Sequence, residues 1–123
     1  MSSQTITNKK PHRNLVAWER AMDLVIAIYK ETNSFPKEEV FGLTLQLRRA
    51  AISFPSNIAE GAARSSKKEF IQYSYIALGT LSELETQIII SSRLGYHNDE
   101  SILGEIETLR KMTLNFIKYL KNK

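Results

Sequence analysis

Apolar residues return every three or four positions along almost the whole chain from Leu15 to Leu120. Leu15, Trp18, Met22, Val25 and Tyr29 form one such line, with Ala17, Ala21, Leu24 and Ile28 beside it. This spacing lines one face of a helix, so the first element is a helix with a wide apolar face. Asn14 is its expected N-cap, and it closes before "TNSFP". Pro36 fits the first turn of a second helix, with Glu38 and Glu39 against its positive end. Ser66 and Glu69 in "SKKE" predict a capping box that opens a third helix. Its inner stripe is Phe70, Tyr73, Ala77, Leu81, Leu84 and Ile88, and Leu94 and Gly95 end it. "HNDE" starts the fourth, with Asn98 as N-cap and a stripe of Ile102, Ile106, Leu109, Thr113, Phe116 and Leu120. No strand-like alternation competes. Short connections favour antiparallel neighbours, so the pattern predicts an all-α, up-down-up-down four-helix bundle over residues 14–121, preceded by a flexible basic arm, residues 1–13.

The second helix is the unusual one. Val40, Thr44, Leu47, Ala51, Phe54 and Ile58 make one stripe; Phe41, Leu45, Arg48, Ile52, Pro55 and Ala59 make another. Only Arg49, Ser53, Ser56, Glu60 and Arg64 form a consistently polar line. A helix apolar around most of its circumference is buried on more than one side. Either a second subunit covers the surplus, which is the reading favoured here, or large side chains from neighbouring helices do. Pro55 removes a backbone donor, so the helix is either kinked there or broken into two. The stripes keep their phase across Pro55, which favours the kink. Arg48, Arg49, Asn57 and Glu60 are read as a structural polar network at this bend, with a ligand site as the competing reading.

Composition removes several kinds of chemistry. The 123 residues include no cysteine and two histidines, His12 and His97. Thiolate catalysis and cysteine metal sites are excluded. No glycine-rich phosphate loop, paired zinc-binding histidines or Glu-x-x-His motif is present, so neither catalysis, a metal nor a cofactor is expected. No apolar run is long enough to span a bilayer, and the polar start "MSSQTITNKKPHRN" lacks a secretory signal. The expected location is the cytoplasm.

"RRAAISFPSNIAEG", with "FPKEEVFGLT" before it and "SSKKEFIQY" and "IALGTLSELETQIIISSRLGY" after it, resembles the small bundle proteins encoded in intervening sequences of bacterial 23S ribosomal RNA genes. The resemblance covers about residues 15–120. It implies a left-handed up-down bundle assembled into a ring-shaped homopentamer. More distantly, the chain is similar to accessory proteins of diversity-generating retroelements, which bind nucleic acid and a reverse transcriptase. Many family members carry an aromatic residue soon after "AEG"; here Ala62 and Ala63 follow.

The net charge of +4 lies entirely within residues 1–70, and the remainder is balanced. In an up-down bundle the start of the first helix, the loop after the second and the end of the fourth meet at one pole. That pole would collect Lys9, Lys10, Arg13, Arg64, Lys67, Lys68, Lys118, Lys121 and Lys123. Clustered bases neutralise phosphates and release counterions, so the pole is the expected RNA or DNA interface. Solubility and dipole complementarity also explain basic residues at helix C-termini, but Lys67 and Lys68 open a helix, where positive charge is unfavourable. Tyr73 and Tyr75 are candidate stacking surfaces, Tyr73 being the one expected to pack. The alternative reading is a module that docks a protein such as a reverse transcriptase, with the nucleic acid held by that partner.

Overall fold

The structure, a computed structural model, describes residues 15–97 and 100–123. Four α-helices account for most of them: α1 (Val16–Thr32), α2 (Leu43–Ala63), α3 (Lys67–Arg93) and α4 (Ser101–Lys121). There is no strand among the described residues. Each helix packs on two others: α2 on α1 and α3, α4 on α3 and α1, with α2 and α3 in the most extensive contact. These contacts are those of a bundle. No helix among the described residues is long and apolar enough to cross a membrane.

Helix boundaries follow local chemistry, with three departures from the sequence reading. Leu15 takes the cap position of α1 without a side-chain bond, and Asn14 lies outside the described residues. Pro36 does not open α2. It precedes a three-residue 3₁₀ turn, Lys37–Glu39, and α2 begins only at Leu43. The physical reason is Glu39, whose Oε1 accepts from Leu43 N at 3.1 Å and so serves the orphan donors of a helix whose own cap residue is Gly42. At the other loop Asn98 and Asp99 are outside the described residues, and Glu100 stands at the cap position of α4.

The two boundaries of α3 are as expected. Ser66 Oγ accepts from Glu69 N at 3.1 Å, and the Ser66 hydroxyl donates to Glu69 Oε1. Gly95 takes φ +84°, with Gly95 N bonded to Ser92 O and Tyr96 N to Ser91 O. That pair of bonds is a Schellman C-cap.

The core is built from Leu24 and Ile28 of α1, Leu47, Phe54 and Ile58 of α2, Leu81, Leu84 and Ile88 of α3, and Ile106 and Leu109 of α4, each at most 2% exposed. Burial of each such side chain contributes about 1.5–3 kcal/mol. On α1 the narrower line of Ala21, Leu24 and Ile28 is the buried one, while Met22 and Tyr29 of the longer line stay more than a third exposed. Near the end of α4 it is Ile117, not Phe116, that is buried. Small hydroxyls fill close helix contacts because each can bond its own helix: Thr32 to Ile28 O, Ser74 to Phe70 O, Ser91 to Gln87 O and Thr113 to Leu109 O.

α2 runs unbroken from Leu43 to Ala63 with Pro55 inside it, so the two-helix alternative does not hold. Its inner stripe is buried through Thr44, Leu47, Ala51, Phe54 and Ile58. Of the remainder, Ala50, Pro55 and Gly61 are also buried, and part stays exposed. Ile52 is 43% exposed, and Val40 and Phe41, which lie outside the helix, are 50% and 88% exposed. Ile52, Pro55 and Ala59 line a groove with Trp18, Met22 and Val25 of α1.

Candidate nucleic-acid interface

The connection from α2 to α3 is tight. Arg64 caps α2 in extended conformation, its N–H donating to Gly61 O at 3.2 Å, and only Ser65 and Ser66 separate it from α3. Gly61 permits this closeness. A Cβ there would lie 2.8 Å from Tyr73 Cβ and 3.0 Å from Phe70 Cδ1, so α2 and α3 meet nearly backbone to side-chain root. The short hairpin places the bases of "ARSSKKE" beside the last turn of α4.

Three of the anticipated bases meet there. Arg64, Lys67 and Lys123 border one groove of about 450 Å³, whose apolar side includes Phe70, Phe116 and Tyr119. Lys67 Nζ donates to the main-chain oxygen of Lys123 at 3.0 Å, across 56 positions of sequence. This contact supplies a structural reason for a lysine at the start of α3: it serves the electron-rich end of α4. Arg64 is more heavily engaged. It pairs with Glu60 at 2.8 Å and Glu69 at 3.7 Å, donates to Tyr73 Oη at 2.8 Å and sits over the Tyr73 ring. The Glu60 hydrogen bond, ahead of the smaller Tyr73 and carboxylate attractions, raises its pKa above the ordinary arginine value.

Aromatic rings run through the groove in sequence. Phe70 meets Phe116 edge-on at 5.0 Å, Phe116 stacks on Tyr119 at 6.2 Å, and Lys123 Nζ lies 5.7 Å from the Tyr119 centroid. A cation–π contact at an exposed site contributes about 0.5–1 kcal/mol. Tyr119 remains 58% exposed. The sequence reading missed it, although Phe116, Tyr119 and Lys123 at i, i+3 and i+7 share one helix face.

The other bases gather around Tyr75. Lys68 borders one shallow groove with it, and Lys118 and Lys121 border a second. Lys121 Nζ donates to Tyr75 Oη at 2.8 Å and lies 5.1 Å from the ring centroid. Tyr75 is 45% exposed, whereas Tyr73 is half-buried against Arg64. Lys9, Lys10 and Arg13 lie outside the described residues, two or more positions before Leu15, which also borders the first groove.

The four polar residues of α2 do not share partners. Arg48 reaches α1, donating through Nε to Thr32 Oγ1 at 2.9 Å and through Nη2 to Asn33 Oδ1 and Tyr29 O, with its guanidinium 4.4 Å from the Tyr29 centroid. Asn57 bonds locally to Ser53 O and Oγ. Glu60 pairs with Arg64, and Arg49 is exposed. One arginine thus closes the C-terminal end of α1, a carboxamide clamps its own helix, and a carboxylate holds Arg64, which borders the basic groove.

Comparison with known proteins agrees with this architecture. The profile of the 23S rRNA-intervening sequence protein family matches residues 13–115. A crystal structure of a protein of unknown function from the S23 ribosomal protein family of Bacteroides thetaiotaomicron shares the fold, with a TM-score of 0.77 at 23% identity over 84% of this chain and 96% of that one. No curated protein matches the chain. With a match spanning all four helices up to the last turns of α4, the chain belongs to the 23S rRNA-intervening sequence protein family.

Proposed function

We propose that this protein is a non-enzymatic, homo-oligomeric helical bundle of the cytoplasm that binds RNA or DNA through its basic end. One observation carries the reading: Arg64 and Lys67 border one groove with Lys123, which is remote from them in sequence, and Lys68, Lys118 and Lys121 surround the nearby Tyr75. Glu60 and Glu69 nearby are both turned to Arg64. The ammonium groups of Lys68 and Lys118 make no hydrogen bond or ion pair among the described residues, so they are available to phosphates.

The proposed bundle is up-down-up-down, with α2 bent at Pro55. Cross-helix pairs support the alternation. Leu15 borders Ile58 while Thr32 meets Arg48, Gln46 meets Gln87 while Gly61 meets Tyr73, and Leu15 borders Phe116 while Glu31 Oε2 approaches His97 Nδ1 at 3.0 Å. Position rises on one helix as it falls on its neighbour. The uncovered apolar groove of Trp18, Met22, Val25, Ile52, Pro55 and Ala59 supports self-association, and family resemblance supports five subunits. A ring would repeat the basic end around its axis and raise the local potential.

The test is a mobility shift with structured RNA at several salt concentrations. Log affinity falls linearly with log salt, and replacing Lys67 and Lys68 by Glu weakens binding and reduces the slope by roughly 1 per lysine. Unchanged binding in that double variant defeats the proposal. The second reading, a docking module for an enzyme such as a reverse transcriptase, draws on the exposed Val40 and Phe41 beside α2. It predicts no shift by the purified protein at moderate salt and a stable protein companion in a pulldown.

A further inference from the structure

We infer that the basic end is built for single-stranded rather than duplex nucleic acid, with Tyr119 as the surface on which a base stacks. This rests on the nucleic-acid reading above and names its substrate class.

The observation is a pairing of exposed rings with cations. At this end of the molecule Tyr119 is 58% exposed and Tyr75 is 45% exposed. Each is paired with a lysine ammonium: Lys123 Nζ lies 5.7 Å from the Tyr119 centroid, and Lys121 Nζ donates to Tyr75 Oη at 2.8 Å. A duplex needs only the lysines. Its base faces are covered by their neighbours in the stack, and phosphates are all it presents to a surface lacking an element that enters a groove. A single strand presents both phosphates and open π-faces, and proteins that hold one combine a basic groove with aromatic side chains.

The surroundings of Tyr119 fit such a strand. Phe116 braces one side of the ring at an interplanar angle of 27°, and Phe116 is in turn held edge-on by Phe70 of α3, so the platform is anchored across two helices. The groove beside it measures about 450 Å³. Arg64, Lys67 and Lys123 border it and supply the cations that the phosphates of a strand require. The ammonium of Lys123 reaches the Tyr119 ring only through an exposed side chain. An incoming base exchanges that contact for a stronger one and turns the lysine toward a phosphate. Among the described residues the Tyr119 hydroxyl has no hydrogen-bond partner, so the ring rather than the hydroxyl is the working part.

The experiment compares the intact protein with Tyr119→Ala and Tyr119→Phe, each against three probes of equal length: an unstructured RNA strand, the DNA strand of the same sequence, and an RNA duplex. Circular dichroism and melting show that the variants keep the fold, as expected for an exposed position. The expected result is tighter binding of both single strands than of the duplex, and a loss of about 5- to 150-fold on the strands for Tyr119→Ala. Tyr119→Phe restores wild-type affinity, and the duplex affinity moves less than about twofold in every variant. Duplex binding equal to or tighter than strand binding, or strand binding unaffected by Tyr119→Ala, overturns this inference while leaving the basic-end interface standing. Absence of binding to all three probes overturns both.

Discussion

Gly61 and Tyr73 are packed so closely that a methyl group on the glycine would fall 2.8 Å from Tyr73 Cβ. The contact sits one turn from the hairpin that carries Arg64 and Lys67, so the approach of α2 to α3 and the position of the basic groove are set together. Replacing glycine by alanine in a helix ordinarily stabilises by about 0.5–1 kcal/mol. Here the clash is with atoms near a helix backbone, and overpacking of that kind costs about 1–3 kcal/mol. Gly61→Ala should therefore destabilise by about 1–2 kcal/mol. Gly79→Ala and Gly104→Ala, where an added Cβ meets nothing within 4 Å, should each stabilise by about 0.5–1 kcal/mol. Denaturant melts of the three variants decide it, and a stabilised Gly61→Ala would contradict the packing described.

Arg48 ties α2 to the C-terminal end of α1 through Thr32, Asn33 and the face of Tyr29. A planar fork that hydrogen-bonds and stacks at once cannot be replaced by a point charge. Arg48→Ala should cost about 1–2 kcal/mol in a urea melt, and Arg48→Lys should recover less than half of that.

Tyr96 and Glu39 join the connection after α3 to the one before α2, the phenol donating to Glu39 Oε2 at 3.0 Å. That hydrogen bond, followed by desolvation, holds the Tyr96 phenol above its ordinary value of 10.0. Because the folded-state pKa is raised, the contribution to stability is complete below the unfolded value near 10 and vanishes as pH climbs through the folded value. The stability gap between the wild type and Tyr96→Phe should be constant from pH 7 to 9 and close above pH 10. A gap that widens with alkaline pH would mean the hydrogen bond runs otherwise.

Ile52, on the uncovered side of α2, is 43% exposed. A charge is tolerated at such a position in a lone subunit but not in an apolar subunit interface. Ile52→Glu should yield a helical monomer by light scattering where the wild type scatters as a multiple of its chain mass. A monomeric wild type would remove the self-association proposal.

The number, order and type of the helices were legible in the chain, because a 3.6-residue period needs only local information. So were the ends of α3, since Ser66 with Glu69 and Gly95 act within a few positions of themselves. The start of α2 was not, because Glu39, at the end of a 3₁₀ turn, accepts from Leu43 N while receiving the hydroxyl of Tyr96, 57 positions away. Of the candidate site, the bases were readable one by one, and topology alone suggested that they meet.

What the sequence by itself determined is thus the helical pattern, the excess of apolar surface around Pro55 and the stock of charged side chains. Only the tertiary structure decided which of two apolar lines on α1 is core, that Arg48 serves α1 while Glu60 serves Arg64, and that Tyr119 shares a groove with Lys67 and Lys123. Periodicity assigns a residue to a face of its own helix. Which neighbour that face meets depends on packing between segments far apart in the chain, and no local pattern encodes it.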